Sequence, residues 1–534
     1  MRRLFYCAAL LLVALACRQV PSGEPVKPDD PVPVTYPKAQ VVAAYVDGVR
    51  VSSGTLSGVS LTPVISLEFT REVVADEESL SFVSFTGGAL TVRLKEADAT
   101  TLEFTPVEQL QPFKQYRFTL AEGECFGVKV KKAYTVIFTT QADDDTDIFP
   151  RISDAELLDL VQQKTFDYFW GYAHPVSGLA RERLGSGDIV TSGGSGFGIM
   201  CLPVGVSRGF ITRAAAAERM RTILDFLSTK AERFHGAYSH WLNGSTGAAI
   251  PFSEKDNGGD LVETAFLVEG LLTVRAFFDR DDEADIRSAI DSIWHGVEWD
   301  WYLNGKDVLY WHWSPNYAWE MNMPIRGWNE ALIVYVLAAS SPTHAIPSSA
   351  YHNGWARGGT MKPSVNGPLF FAHYSFLGLN PHITDTYASY WDQNVAHAQY
   401  NYDYCVRNPG KHAGYGASCW GLTASDYPDG YTASAPSNDT GTIAPTAALA
   451  SMPYLPAEAM EALHTFYYKY GDRLWGPYGF FDAFNLDRAW FAGSYIAIDQ
   501  GPIVVMIENH RSGLLWNLFM QAPEVEAGLK KLGF

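Results

Sequence analysis

Phe266-Leu267-Val268-Glu269-Gly270-Leu271-Leu272 is apolar nearly all round. A helix with that surface has no solvent side, so it belongs inside a shell of other helices. Arg213-Ala214-Ala215-Ala216-Ala217-Glu218-Arg219 is more polar, and Thr212 in front of it reads as an N-cap. Buried and half-exposed helices in alternation predict two concentric rings. Working outward, helical patterning falls near 154–172, 195–206, 212–230, 260–278, 283–302 and 327–340, then near 362–378, 383–403, 443–451, 456–470, 501–520 and 522–532. Many antiparallel helices joined by long connections predict an all-α (α/α)6 barrel over residues 154–534. No repeat is legible in the sequence, so the sixfold expectation rests on the helix count.

The pattern before residue 154 is different. Val41 to Val46, Val64 to Phe69, Leu102 to Phe104, Tyr116 to Leu120 and Tyr134 to Phe138 are short β runs separated by turn signals. That spacing predicts an all-β sandwich over 38–140, and the acidic run Asp143-Asp144-Asp145 sits in a linker over 141–153. The fold class is therefore multidomain, a sandwich followed by a helical barrel. The N-terminus reads as an export signal over 1–16. Arg2 and Arg3 supply the charge, and an apolar stretch too short to span a bilayer follows. It ends at Ala14-Leu15-Ala16-Cys17, so Cys17 is expected to carry lipid at the head of a Pro-rich tether over 17–37. Contact with the membrane is expected through that lipid only, in the periplasm or at the cell surface.

The chain has 40 basic and 59 acidic side chains; without the signal it stands near −21. Such a charge repels nucleic acid and leaves neutral sugars unaffected. Cys125, Cys201, Cys405 and Cys419 follow no metal-ligand spacing, and no His-Glu-x-x-His motif occurs. No metal and no cofactor are expected. Cys405 and Cys419 read equally as a disulfide or as two buried thiols. A monomer is expected.

Candidate chemistry concentrates in carboxylates beside aromatic rings. Asp256-Asn257-Gly258-Gly259-Asp260-Leu261-Val262-Glu263 sets Asp260 and Glu263 at the spacing of a capping box, with Asp256 in the loop above. Capping and catalysis are both open there, because helix starts at a barrel mouth point into the cleft. Glu330, in Arg326-Gly327-Trp328-Asn329-Glu330, reads either as a first-turn carboxylate favoured by the helix dipole or as a catalytic acid. The preceding stretch holds Trp301, Tyr302, Tyr310, Trp311, Trp313, Tyr317 and Trp319, a density that suits stacking on sugar rings. Arg326, Trp328, Trp313, Tyr317, Asp256 and Glu182 are the candidate substrate contacts. The glycines of Gly193-Gly194-Ser195-Gly196-Phe197-Gly198 fit neither a phosphate loop nor a serine-hydrolase elbow. They predict close backbone approach to a ligand or tight helix packing. Asp499 reads as a helix cap.

These runs, with Ala338 to His344, Gly441 to Ala447 and Ile498 to Arg511, resemble the bacterial glucoamylase-like lipoproteins grouped as glycoside hydrolase family 144. The resemblance covers roughly residues 154 to 523, and the sandwich resembles the Ig-like modules fused to such enzymes. It implies an (α/α)6 barrel that cleaves β-1,2-glucan with inversion, either within the chain or by release of sophorose. Asp256, Asp260, Glu263 and Glu330 match the family's important acidic positions. For inversion, Glu330 is expected as the acid, kept protonated by its aromatic surroundings, and Asp260 or Glu263 as the group that steers water. His510, where the family has Tyr, is a departure that touches local packing. A glycan-binding lipoprotein without catalysis, or a glucoamylase-type α-glucan hydrolase, would use many of the same residues.

Overall fold

The computed structural model describes residues 35–51, 56–143, 146–356 and 364–534. The expected signal, Cys17 and most of the tether lie outside the described residues.

Strands occupy Lys38 to Thr140. One sheet runs in the order Val49–Arg50, Val41–Val46, Ile65–Phe69, Asp98–Pro106, Leu90–Lys95. A second runs Leu56–Val59, Tyr134–Thr140, Gln115–Leu120, Val83–Phe85. Their inner faces share one core, in which Phe104 of the first sheet meets Phe118 of the second at 4.9 Å between ring centroids. This region is fastened to the helices. Phe113 packs edge-on against Tyr470 and Phe491, Arg473 Nη1 donates to the Phe113 carbonyl at 3.2 Å, and Ser57 Oγ donates to the Asp487 carbonyl at 2.8 Å.

The helices are α1 (Asp154–Trp170), α2 (Ser192–Ser207), α3 (Arg213–Thr229), α4 (Leu261–Phe277), α5 (Ala284–His295), α6 (Leu332–Ser340), α7 (Ser348–Gly354), α8 (Tyr390–Arg407), α9 (Pro445–Leu449), α10 (Pro456–His464), α11 (Gly471–Leu474), α12 (Ala497–Ser512), α13 (Leu514–Phe519) and α14 (Pro523–Leu532). In α4 every residue from Leu261 to Val274 is buried, and α6 is buried throughout. α3, α5 and α14 bury one face only. α2 and α4 touch backbone to backbone. A methyl group on Gly196 would strike the Phe266 carbonyl, and one on Gly270 would strike the Gly196 carbonyl. Helix packing thus accounts for that part of the glycine run.

Three expectations change. No α-helix fills 364–378; two 3₁₀ turns, Leu369–Ala372 and Tyr374–Phe376, stand there instead. Pro368 lacks an N–H, and the next two N–H groups leave the segment for the Leu422 carbonyl (3.1 Å) and Thr423 Oγ1 (3.1 Å). The helix expected over 501–520 breaks into α12 and α13 at Gly513, whose φ is +69°. α6 begins at Leu332, so Glu330 precedes the helix and is not a first-turn residue. Cys405 and Cys419 are buried free thiols.

Candidate active site

The site forms at the head of α4, which lies beside the head of α2 and packs on α6, the helix that Glu330 precedes. Ile189–Thr191 pairs antiparallel with Trp241–Asn243, which sets Thr191 and Ser192 beside His240. Gly259–Asp260 pairs with His312–Trp313, which sets Asp260 opposite His312. The aromatic segment is thereby stitched to the head of α4.

Asp260 is the N-cap of α4, 1% exposed. Its Oδ1 accepts the N–H groups of Val262 and Glu263, both at 3.0 Å, and its Oδ2 lies 3.3 Å from His240 Nδ1. The expected capping box is only half made. Glu263 does not return to Asp260. It crosses to α2, where Oε2 accepts the Gly193 N–H at 2.8 Å and the Thr191 hydroxyl at 3.3 Å. A methyl group on Gly193 would collide with that carboxylate. Glu263 therefore caps the neighbouring helix. Burial raises its pKa, against the pull of His240 and the two donors.

Glu330 is half-buried, and protein crowds its carboxyl from most sides. Burial is the leading cause of its shift, and the negative charges of Glu263 and Asp260 add to it; together they raise its pKa to about 7. Ser375 Oγ donates to its backbone carbonyl, which pins the turn. Asp260, Glu263 and Glu330 thus share one electrostatic site.

Other expected contacts divide. Asp256 is partly buried, with its Oδ1 3.0 Å from buried His312 Nε2. Trp313 packs on Phe234, His235 and the 41% exposed Trp301, and Tyr317 sits on the Ser314–Ala318 turn above. Trp328 is turned into packing against Trp355 and Tyr390, and its Nε1 is buried without an acceptor. Arg326 points at Asp307, 4.0 Å away, and makes no ion pair with the carboxylates of the site. Glu182 is held by Arg183 Nε at 3.0 Å.

A cleft of about 260 Å³ is lined by Thr191, His240, Trp241 and Phe252, with Glu182, Arg183, Tyr431, Ile496 and Ile498. A larger groove at Arg275 and Glu524 lies at the other end of α4, roughly 20 Å away at 1.5 Å per residue. Its Arg275 is committed to Asp291 and Glu524.

A second acidic group lies behind the cleft. Arg183 Nη1 pairs with Asp426 at 3.1 Å, the Asp426 N–H donates to Asp482 at 2.7 Å, and Asp499 is buried beside Asp482 with neither of its carboxyl oxygens hydrogen-bonded. Burial raises both. Asp499 is therefore not a cap: the cap position of α12 is Ile496, and the Asp499 oxygens bond no backbone N–H. Neither this pair nor His240 forms a motif, since the partners meet only through the fold.

The family described as Glycoamylase, "Putative glucoamylase", matches residues 322–523. An exo β-1,2-glucooligosaccharide sophorohydrolase (non-reducing end) of Parabacteroides distasonis is 43% identical over 475 residues, which make up 81% of this chain and 66% of that protein. The chain thus spans about two thirds of that relative's length. An endo-β-1,2-glucanase from Chitinophaga pinensis, solved with sophorotriose and glucose, is 51% identical with a TM-score of 0.70, over 72% of this chain and 99% of that one. A β-1,2-glucanase from Parabacteroides distasonis is 37% identical with a TM-score of 0.70, over 94% of this chain and 74% of that one. The chain belongs to the bacterial glucoamylase-like glycoside hydrolases of family 144.

Proposed function

We propose that this chain hydrolyses β-1,2-glucan or its oligosaccharides by an inverting acid–base mechanism. The observation that carries the mechanism is Glu330, raised to about 7 beside two carboxylates that are held by hydrogen-bond donors. At neutral pH a substantial fraction of Glu330 keeps its proton and can give it to the leaving glycosidic oxygen. The opposite task, drawing a proton from water, needs a carboxylate oxygen not already engaged. Asp260 has both oxygens engaged, by two helix N–H groups and by His240. Glu263 engages Oε2 only, so its Oε1 takes the base role. The relatives named above carry β-1,2-glucan activities in their names, which supports the substrate class.

Incubation with β-1,2-, β-1,3-, β-1,4- and α-1,4-glucans, followed by chromatography, tests the reading. Products from β-1,2-glucan alone are expected. Release from starch and none from β-1,2-glucan would overturn the substrate class. A disaccharide as the sole product assigns exo action, and a ladder assigns endo action.

The helical region is proposed to be an (α/α)6 barrel over 154–534, with α2, α4, α6 and α12 in its inner ring, supported by their burial. The strand region over 38–140 is proposed to be an Ig-like module. Cys17 is proposed to carry lipid after export, supported by Ala14-Leu15-Ala16-Cys17. An unmodified mass for the exported N-terminus would remove that proposal.

A further inference from the structure

One residue contacts the heads of both α2 and α4, the two helices that Glu263 ties together. His240 lies between the strands Ala237–Tyr238 and Trp241–Asn243. Its backbone carbonyl accepts the Ser192 N–H at 3.1 Å, at the start of α2. Its Nδ1 lies 3.3 Å from Asp260 Oδ2, at the start of α4. The ring is stacked on Phe252, with centroids 4.2 Å apart at 28°, and Trp241 closes its edge at 5.8 Å. The ring lines the cleft.

Resting on the assignment of Glu330 as acid, we propose that His240 is a positioning residue whose imidazolium, set against Asp260 at the head of α4, balances the negative charge of the carboxylate cluster beside Glu330. Three carboxyl groups in one poorly hydrated site cannot all be anions at neutral pH without a compensating charge. A single cation next to two of them decides where the proton stays. His240 lies against Asp260 and pulls Glu263 down against its burial, whereas burial and the charges of Glu263 and Asp260 push Glu330 up, which favours the proton on Glu330.

The charge state of His240 follows from its neighbours. Burial pushes its pKa down, but Glu263, Asp260 and Asp256 outweigh burial and raise it to about 9. The cleft it lines is also lined by Glu182 and Arg183, which are bonded to each other, and by Tyr431. The ring is accordingly a cation across the neutral range.

The test compares wild type with His240→Asn and His240→Lys, by kcat/KM on β-1,2-glucan as a function of pH. Asn keeps a donor near Asp260 without charge, and Lys restores charge without the ring. The acidic limb should move up by about one pH unit in His240→Asn and return toward wild type in His240→Lys. An equal fall in rate for both, with the limb unmoved, would reduce His240 to packing. Independently, ¹⁵N NMR of the wild-type imidazole should show it protonated at pH 8; titration below pH 7 would end the proposal even if a variant fails to fold. Glu330→Gln is run alongside. If it keeps full turnover, the acid assignment fails, while the imidazole titration still judges His240.

Discussion

The Glu263 carboxylate on α4 accepts the Gly193 N–H at the head of α2, at 2.8 Å. One side chain therefore locks the register of two buried helices and sits among the catalytic candidates. It also explains why position 193 carries no side chain, since a methyl group would occupy the place of that carboxylate.

This double duty separates two substitutions. Glu263→Gln keeps an oxygen for Gly193, so stability should change by less than about 1 kcal/mol. Turnover should nonetheless fall by roughly 10² or more, because an amide cannot take a proton from water. Glu263→Ala should lose the same activity and also about 1–3 kcal/mol, the cost of an unpaired buried N–H. Urea unfolding beside initial rates checks both. Near-normal turnover in Glu263→Gln would move the base role elsewhere.

Glu330→Gln removes the proton donor and keeps the shape. Turnover should drop by roughly 10² or more, with KM little changed. The side chain bonds no other side chain in the site, so unfolding free energy should move by less than about 1 kcal/mol. Steady-state kinetics and denaturant titration read the two quantities separately.

The pH dependence follows from the same residue. On the proposed assignment Glu330 acts in its protonated form, and its pKa is raised to about 7. Activity governed by it is complete well below pH 7 and is lost as pH rises through about 7. A kcat/KM profile over pH 5 to 9 should show that limb. A profile flat to pH 9 would exclude Glu330 as the acid of the free enzyme.

Asp482 and Asp499 predict a stability effect. Burial raises both above the unfolded carboxyl range near 4. Their contribution is complete below that range and is lost as pH rises through the raised folded values. The wild-type Tm should fall between pH 5 and 8, and Asp499→Asn should flatten that slope. Scanning calorimetry at several pH values decides it; equal slopes would contradict the raised carboxyls.

The sequence made some of this legible for definite reasons. The run from Phe266 to Leu272 is apolar on all sides, and α4 is buried on all sides. Asp260 stands before an apolar helix and caps it. What was not legible depends on long-range partners. Glu263 looked like the other half of a capping box, but its donor is 70 positions earlier, on α2. Asp499 looked like a cap, but its partner Asp482 lies in another segment. His240 has no motif, since strand pairing alone brings it to Asp260. The segment ahead of Ser375 looked helical by composition, but Pro368 and cross-chain bonds to Leu422 and Thr423 override it.

Time-resolved ¹H NMR of β-1,2-glucan digestion tests the central claim most directly, because it reads substrate, bond cleavage and stereochemistry together. Inversion by Glu330 and a water-activating carboxylate predicts that new reducing ends appear first as the α-anomer and then mutarotate, and that Glu330→Gln produces none on the same timescale. First appearance of the β-anomer, or an intact glucan after prolonged incubation with the wild type, would contradict it.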